Sequence, residues 1–394
     1  MHREGDDVLK RWLPGLAAAA AVAVALAATS LAGEAGAPAP RATAESGWQP
    51  MSPSPLSPRL NPVLTGWGER VVVLGGDPHS RPCPPGAGCV GPERPAPRDA
   101  ALYDVSRDRW ERLPDAPLPL DVQSTAVLDD VLYVWLRTSD ALSLDLTART
   151  WAQLPGPPAP VPCCVRLVSA GDRVVAAPME LREGARDVAW VPARGSWEPL
   201  PPSPLDPAYD RTTVWTGQEL VLVTAAVPSS DPPFVRAAAL RDGRWRLLPE
   251  QEVVIGGWPE WSWTGVRLVV ATTQRADGGQ TNGFGRSIPS GGYLDPVTAG
   301  WSELPEAPEV PYMRGPAAAA GRWVANGEGL VLDTVQERWH VLPPYEHQPD
   351  QDAGAAWAGG RLVVWGGAVG MAKEVGDPPG RSVATGAVWT PPQG

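Results

Sequence analysis

Few side chains in this 394-residue chain are of the types that usually carry catalysis. The chain has four histidines and two lysines, which are His2, His79, His340, His347, Lys10 and Lys373. Because histidines are so few and no nucleophile elbow is present, the sequence does not support a serine-hydrolase triad. The loops carry many carboxylates, but no pair of them stands out as a general acid and base. The sequence therefore predicts no catalytic residue and no cofactor.

One segment combines a histidine with two carboxylates, His347 with Asp350 and Asp352. Such a group could form an oxygen-rich metal site. The preferred interpretation is a solvated loop between two structural units, so no metal site is predicted.

The four cysteines are Cys83, Cys89, Cys163 and Cys164. An even number of cysteines outside the cytoplasm indicates disulfides. A bond between Cys83 and Cys89 would close a turn-forming segment, but it would leave the adjacent Cys163 and Cys164 to form a strained vicinal bond. Two bonds between the two loops are therefore slightly preferred. A redox or zinc site is the weaker alternative, because neither characteristic spacing is present.

Arginine recurs where the chain enters the first strand of a repeated unit, at Arg59, Arg166, Arg211 and Arg314. If these strand starts surround a channel, the arginines could bind a carboxylate-bearing ligand, such as an acidic sugar or an acidic peptide. The preferred alternative is structural, since arginine forks commonly tie loops together. Trp258 and Trp261 could stack on a sugar or fill a junction between units.

The elements that position these residues follow from a repeat. The motif Trp-x-x-Leu-Pro begins at Trp110, Trp151, Trp197, Trp245, Trp301 and Trp339, and a degenerate copy begins at Trp48. The seven tryptophans are 38 to 62 residues apart, which is the period of a β-propeller with insertions. They are expected to be core residues, one in each unit.

A hairpin and a third strand recur between the tryptophans. Glycine is expected at the hairpin turn in six units, at Gly66, Gly171, Gly217, Gly265, Gly321 and Gly359, and the second unit has Asp129-Asp130 there instead. The second strand is a run of apolar residues typical of a strand buried on both faces. An aspartate often closes the third strand, as Asp104 does. Each unit is therefore predicted to be a four-stranded antiparallel sheet with the tryptophan on its outer strand.

Four long insertions fall between the second and third strands, at residues 77–99, 225–236, 273–290 and 368–384. Long loops on a rigid scaffold often carry binding sites, although tolerated insertions are an equally good interpretation. The first repeat motif, at Trp48, belongs to an outer strand, whereas the last repeated unit has no outer-strand motif. The sequence thus predicts an all-β, seven-bladed propeller over residues 47–394, closed by an N-terminal outer strand that completes the last blade.

This pattern resembles the kelch repeat, found in propellers that include the central domain of galactose oxidase. The resemblance covers roughly residues 46–394 and rests on the glycine pairs Gly75-Gly76 and Gly366-Gly367, on Tyr103-Asp104, and on Trp110 with Leu113-Pro114. Galactose oxidase implies a copper site made of two histidines, two tyrosines and a crosslinked cysteine. No residue of this chain matches that set, so a copper oxidase is rejected.

Residues 1–32 predict export. A charged segment is followed by 21 uncharged residues, Trp12 to Ala32, which could be a cleaved signal peptide or a membrane anchor. Residues 33–46 are expected to be a flexible linker. The protein is therefore expected outside the cytoplasm, either secreted or tethered through residues 12–32. The net charge of -11 argues against nucleic acid as a partner.

The preferred function is a non-catalytic module that binds a protein or a glycan at the cell envelope. Kelch propellers include both enzymes and binding modules, so the fold alone does not choose. The alternatives are an enzyme acting on an acidic sugar, similar to a mutarotase or epimerase, and a structural subunit of an envelope complex.

Peptide mapping without reduction tests the disulfide prediction. We expect each of Cys83 and Cys89 to be joined to one member of the adjacent pair Cys163 and Cys164. A peptide in which Cys83 is joined to Cys89 would contradict the bonds between loops.

Overall fold

The computed structural model describes residues 47–78, 95–158, 161, 164–180, 186–206, 208–226, 235–250, 261–273, 275–277, 287–289, 291–310, 315–370 and 380–392. These residues belong to one compact unit. Within them no helix is long and apolar enough to span a bilayer. The predicted anchor, residues 12–32, lies outside the described part of the chain.

The described residues form seven four-stranded antiparallel sheets, which we number as blades 1 to 7. Blade 1 consists of β2 (Val63–Trp67), β3 (Arg70–Leu74), β4 (Ala100–Asp104) and β5 (Arg109–Arg112), and blade 2 of β6 (Val122–Leu128), β7 (Val131–Leu136), β8 (Ala141–Asp145) and β9 (Thr150–Gln153). Blade 3 consists of β10 (Val165–Ala170), β11 (Arg173–Pro178), β12 (Val188–Val191) and β13 (Ser196–Pro199). Blade 4 consists of β14 (Ala208–Trp215), β15 (Leu220–Ala226), β16 (Val235–Arg241) and β17 (Arg244–Leu247).

Blade 5 consists of β18 (Ser262–Trp263), β19 (Leu268–Val270), β22 (Gly292–Asp295) and β23 (Gly300–Ser302). Blade 6 consists of β24 (Ala317–Ala320), β25 (Trp323–Asn326), β26 (Leu330–Asp333) and β27 (Arg338–Val341). Blade 7 consists of β28 (Gly354–Ala358), β29 (Arg361–Trp365), β32 (Gly386–Thr390) and β1 (Gly47–Pro50). Two further hairpins are β20 (Arg275–Asp277) with β21 (Ser287–Pro289), and β30 (Ala368–Val369) with β31 (Arg381–Ser382). The predicted all-β, seven-bladed propeller is confirmed.

The blades follow one another around a ring. The first strands of neighbouring blades contact each other in the order β2, β6, β10, β14, β18, β24 and β28, and β28 contacts β2. The seventh sheet contains β1, which pairs antiparallel with β32 so that Trp48 lies opposite Trp389. The second strands are almost wholly buried, because each blade packs its two faces against its neighbours.

The hairpin turns follow the predicted pattern except in blade 1. Gly171 and Asp129 lie in their turns with φ of 67° and 53°, a backbone region that favours glycine, asparagine and aspartate. In blade 1 the turn residue with positive φ is Gly68, and the prediction of Gly66 was wrong. Gly66 lies inside β2 for another reason: a Cβ there would lie 2.1 Å from the carbonyl oxygen of Trp357 in blade 7.

The repeat tryptophans join the blades by hydrogen bonds. Each indole Nε1 donates to the backbone carbonyl oxygen at the fifth position of the preceding motif, at nitrogen–oxygen distances from 2.7 to 3.1 Å. The bonds run from Trp48 to Pro343, Trp110 to Ser52, Trp151 to Pro114, Trp197 to Pro155, Trp245 to Pro201, Trp301 to Pro249 and Trp339 to Pro305.

The expectation that all seven tryptophans are core residues was wrong in one respect. Only Trp339 is buried, and the other six are half-buried. Tryptophan has a single polar donor at one edge of a large apolar ring, so it can pack one face and still reach a carbonyl at the rim.

The two ends of the ring differ. In an antiparallel blade, the turns after the first and third strands lie at one end, which we call the turn face. The loops after the second strand and the connections between blades lie at the other end, which we call the insertion face. All four predicted insertions leave from the insertion face, and the hairpins β20–β21 and β30–β31 belong to two of them.

Replacing Trp151 with phenylalanine should lower the free energy of unfolding, because the Pro114 carbonyl loses its donor. The control is Trp215→Phe, which changes a half-buried indole for which the described residues show no hydrogen bond. We expect Trp151→Phe to cost about 1 kcal/mol more than the control in urea unfolding. Equal losses would mean that the hydrogen bond does not stabilise the ring.

Candidate functional site

Arg59 lies in the connection from β1 to β2 and is fully buried. Its two terminal nitrogens donate to the carboxylate of Asp99, each at 3.2 Å. The guanidinium also donates to the backbone carbonyls of Gly75 and Ser57, and it lies 5.9 Å from the ring centre of Trp365 in blade 7. Its donors are therefore used by the protein itself, and Arg59 joins blades 7 and 1.

Arg211 is buried in β14, beside a shift in the strand register. Its terminal nitrogens donate to the Asp187 carboxylate of blade 3 at 2.9 and 2.7 Å and to the Pro178 carbonyl at 2.8 Å. Burial alone would lower the pKa of Arg211, but the bonds to Asp187 outweigh it and raise the pKa. Arg211 therefore stays charged and ties blade 4 to blade 3.

These contacts favour the structural interpretation for Arg59 and Arg211 over the ligand-binding one. Both arginines are buried, and their terminal nitrogens already donate to a carboxylate, so these nitrogens are not available to a ligand from solvent. Arg166 is half-buried on β10. At the corresponding place in blade 2, the Gln123 side chain accepts a hydrogen bond from the Val165 backbone at 3.0 Å. Arg314 lies outside the described residues.

The two tryptophans also differ from each other. Trp261 is buried and packs edge-on against Trp301, with ring centres 5.7 Å apart. It belongs to the apolar cluster between blades 4 and 5, which matches the junction-filling interpretation. Trp258 lies outside the described residues.

The disulfide prediction stays a prediction. Cys164 is exposed just before β10 and has a φ of 66°. Cys83, Cys89 and Cys163 lie outside the described residues.

The described histidines are in two different settings. His340 lies on β27 beside Trp323, where burial and the nearby Arg338 lower its pKa. His347 is exposed in the connection before blade 7. No group of three or more His, Cys, Asp or Glu side chains in the described residues could hold a metal ion.

The carboxylates around Arg211 were not singled out from the sequence. Asp206 lies 3.5 Å from the Arg211 Nε. Burial is the main cause that raises the pKa of Asp206, with a smaller contribution from Asp187. Asp210 has a φ of 50°, and its pKa is raised by burial and then by Glu180.

The sequence contains a weak signal for the aspartates that pair with the arginines. Asp99, Asp140 and Asp187 each come directly before the third strand of blades 1, 2 and 3. Aligning these blades by their third strands would have identified the position that pairs with arginine in two of the three.

Two concavities open on the insertion face. A groove of about 870 Å³ between blades 5 and 6 is lined by Thr272, Thr273, Glu306, Glu309 and Glu328. A pocket of about 350 Å³ between blades 6 and 7 is lined by Asn61, Tyr345, Gln351 and Asp352. Both lie close in sequence to Arg314 or to an insertion, so this part of the ring is a candidate for a binding site.

A larger groove of about 1040 Å³ lies on the turn face between blades 4 and 5. The sequence alone does not predict this groove, because its lining comes from turns of two different blades. Val266 and Val297 on its rim are largely exposed.

No known protein-family model matches the chain, and no curated protein matches it. The class of protein is therefore defined by the fold alone, which is a seven-bladed β-propeller of small antiparallel sheets. The kelch resemblance stays an interpretation of the repeats.

Arg211→Met should destabilise the protein strongly, because it leaves the Asp187 carboxylate buried without its cation. We expect a loss of about 3–5 kcal/mol in the free energy of unfolding. The control is Arg137→Met, which removes one partner of an exposed ion pair with Asp121 and should cost less than about 1 kcal/mol. Similar losses in the two variants would contradict the structural role of Arg211.

Proposed function

We propose that the protein is an exported, non-catalytic module that binds a protein or a glycan through the insertion face of its propeller. The observation that carries this proposal is the separation of scaffold and loops. The seven indole–carbonyl hydrogen bonds between blades lie in the outer strands and the connections that follow them, whereas the four long insertions leave the ring at one end. The insertions can therefore vary without changing these seven bonds.

The described parts of the insertions support a binding role over passive tolerance. Two insertions carry hairpins of their own, and β30–β31 is fixed to the ring by bonds from Asp350 to Ala368 and from Val383 to Gly367, at 2.7 and 3.0 Å. An insertion held in this way offers a preformed surface, which lowers the entropic cost of binding. The two concavities of the insertion face lie beside these loops.

The contacts of Arg59 and Arg211 argue against the alternative function, an enzyme that acts on an acidic sugar. Such an enzyme would require arginines free to bind a carboxylate at the channel mouth. Arg59 and Arg211 already donate to Asp99 and Asp187, so two of the four arginines are committed to the scaffold. A purely structural subunit of an envelope complex has no particular observation in its favour.

Export and attachment rest on the sequence of residues 1–32. A protein or glycan of the cell envelope is the ligand that such a location offers. A tether through residues 12–32 would hold the propeller at that surface, and secretion after cleavage would release it outside the cytoplasm.

Site-specific photo-crosslinking tests the binding face. A photoreactive residue replaces Glu306 or Glu309, which are exposed on the insertion face, or Asp172, which is exposed on the turn face of blade 3. Each variant is mixed with the envelope fraction of the producing cells and irradiated. We expect adducts from positions 306 and 309 only. Sensitivity of the adducts to protease or to glycosidase identifies the ligand as protein or glycan.

Adducts of equal yield from position 172 would show contact without a preferred face and would contradict the proposal. The absence of adducts from all three positions would also contradict it, because an envelope-binding module must find its ligand in that fraction.

A further inference from the structure

The exposed apolar side chains of the described residues are concentrated on one side of the ring. The five large ones are Leu247, Val266, Val297, Val335 and Val341. All of them belong to blades 4, 5 and 6. Exposed apolar residues that line one groove are typical of an interaction surface, whereas those outside it, such as Val335, are not informative by themselves.

Two of these residues, Val266 and Val297, form a rim of the groove on the turn face between blades 4 and 5. Their exposed fractions are 72% and 81%. The fold does not require valine in either turn, because blade 1 has Glu69 and Ser106 at the corresponding positions and blade 1 folds in the same way. The groove continues inward over Trp263 and Trp245.

The opposite rim of the groove is basic. Arg241 and Arg244 lie opposite each other across the turn between β16 and β17, and both are exposed. Arg241 forms an exposed ion pair with Asp242, at 3.8 Å, and the described residues show no ion pair for Arg244. Three arginines and the two carboxylates of Glu219 and Asp242 line the groove, so it has a net positive charge in a protein of net charge -11.

A third arginine closes the base of the groove. Arg246 donates to both carboxylate oxygens of Glu219, at 3.2 and 3.3 Å, and to the Pro296 carbonyl of blade 5 at 2.9 Å. It therefore fixes the distance between the two blades. Glu219 neutralises Arg246, so the excess positive charge lies on the exposed rim, where Asp242 accompanies both Arg241 and Arg244.

The two turns that carry the valines are rigid. The Val297 backbone nitrogen donates to the Asp295 carboxylate at 2.8 Å. In the other turn, the Thr264 hydroxyl donates to the Arg267 carbonyl at 2.9 Å and accepts from the Val266 nitrogen at 3.3 Å. A preformed surface loses little conformational entropy when a ligand binds.

We propose that this groove docks an acidic peptide segment of a protein partner. An apolar side chain of the segment packs against Val266 and Val297, and its carboxylates pair with Arg241 and Arg244. A peptide fits better than a sugar, because aliphatic rims give no hydrogen bonds to hydroxyl groups, whereas they bury apolar side chains. The surface lies on the turn face, so this interaction is independent of ligand binding at the insertion face.

Selection from a phage-displayed library of random twelve-residue peptides on the full-length protein tests the proposal. We expect enriched peptides to combine aspartate or glutamate with a neighbouring apolar residue. Fluorescence anisotropy then gives the Kd of a labelled enriched peptide. The double variants R241S/R244S and V266S/V297S should each raise the Kd about tenfold or more. Added salt should weaken binding to the parent protein and have little effect on R241S/R244S.

Matched controls use the same positions in other blades. Arg109 precedes Trp110 as Arg244 precedes Trp245, and Val335 stands two residues after Asp333 as Val297 stands after Asp295. The variants Arg109→Ser and Val335→Ser should leave the Kd unchanged. All six substituted residues are exposed, so circular dichroism and thermal unfolding should show the same fold in every variant.

Three results would overturn the proposal: enriched peptides without acidic residues, a Kd that the groove variants leave unchanged, or a library that yields no binder. An oligogalacturonate probe is tested in parallel. If it binds in a way that depends on Arg241 and Arg244 while no peptide does, the groove belongs to an acidic glycan instead. Crosslinking from position 306 does not depend on these variants, so failure here is distinguishable from failure of the proposed function.

Discussion

The ring depends on one interaction made seven times, the hydrogen bond from an indole nitrogen to a carbonyl of the preceding repeat. The acceptor is a backbone atom, so the side chain at that position is secondary. Ser52 therefore replaces proline in the first copy and still accepts from Trp110 at 2.9 Å. Proline is well suited elsewhere because it ends the outer strand without leaving an unpaired N–H group. The last bond, from Trp48 to Pro343, spans 295 residues of sequence.

Charged side chains of the kind that often bind ligands serve here to hold the blades together. Arg59 and Arg211 are buried at blade junctions and are neutralised by aspartates. A buried ion pair of this kind contributes specificity to the packing, and losing one partner is costly. These two arginines are therefore engaged within the scaffold. Recognition is left to groups that the scaffold does not need, in the insertions and at the turns.

The sequence predicted the seven blades because each feature of the blade is local: the hairpin, the apolar second strand and the outer tryptophan. It favoured a structural role for the arginines but did not identify their partners, because Asp99 and Asp187 lie 40 and 24 residues from Arg59 and Arg211 and are brought close to them only by folding. Gly66 was misassigned for a similar reason. The contact that excludes a side chain there comes from Trp357, at the far end of the sequence.

The turn face shows how a repeat protein can acquire a second surface. The Asp295 carboxylate and the Thr264 hydroxyl fix the blade 5 turns through backbone atoms, so the exposed residue between them is free to vary. Blade 1 uses Glu69 at the position where blade 5 has Val266. An exposed valine side chain in these turns buries little apolar surface within the ring. Covering it with another molecule would remove that surface from water, which is favourable. Because the adjacent rim has more arginines than carboxylates, a segment that carries negative charge would complement it.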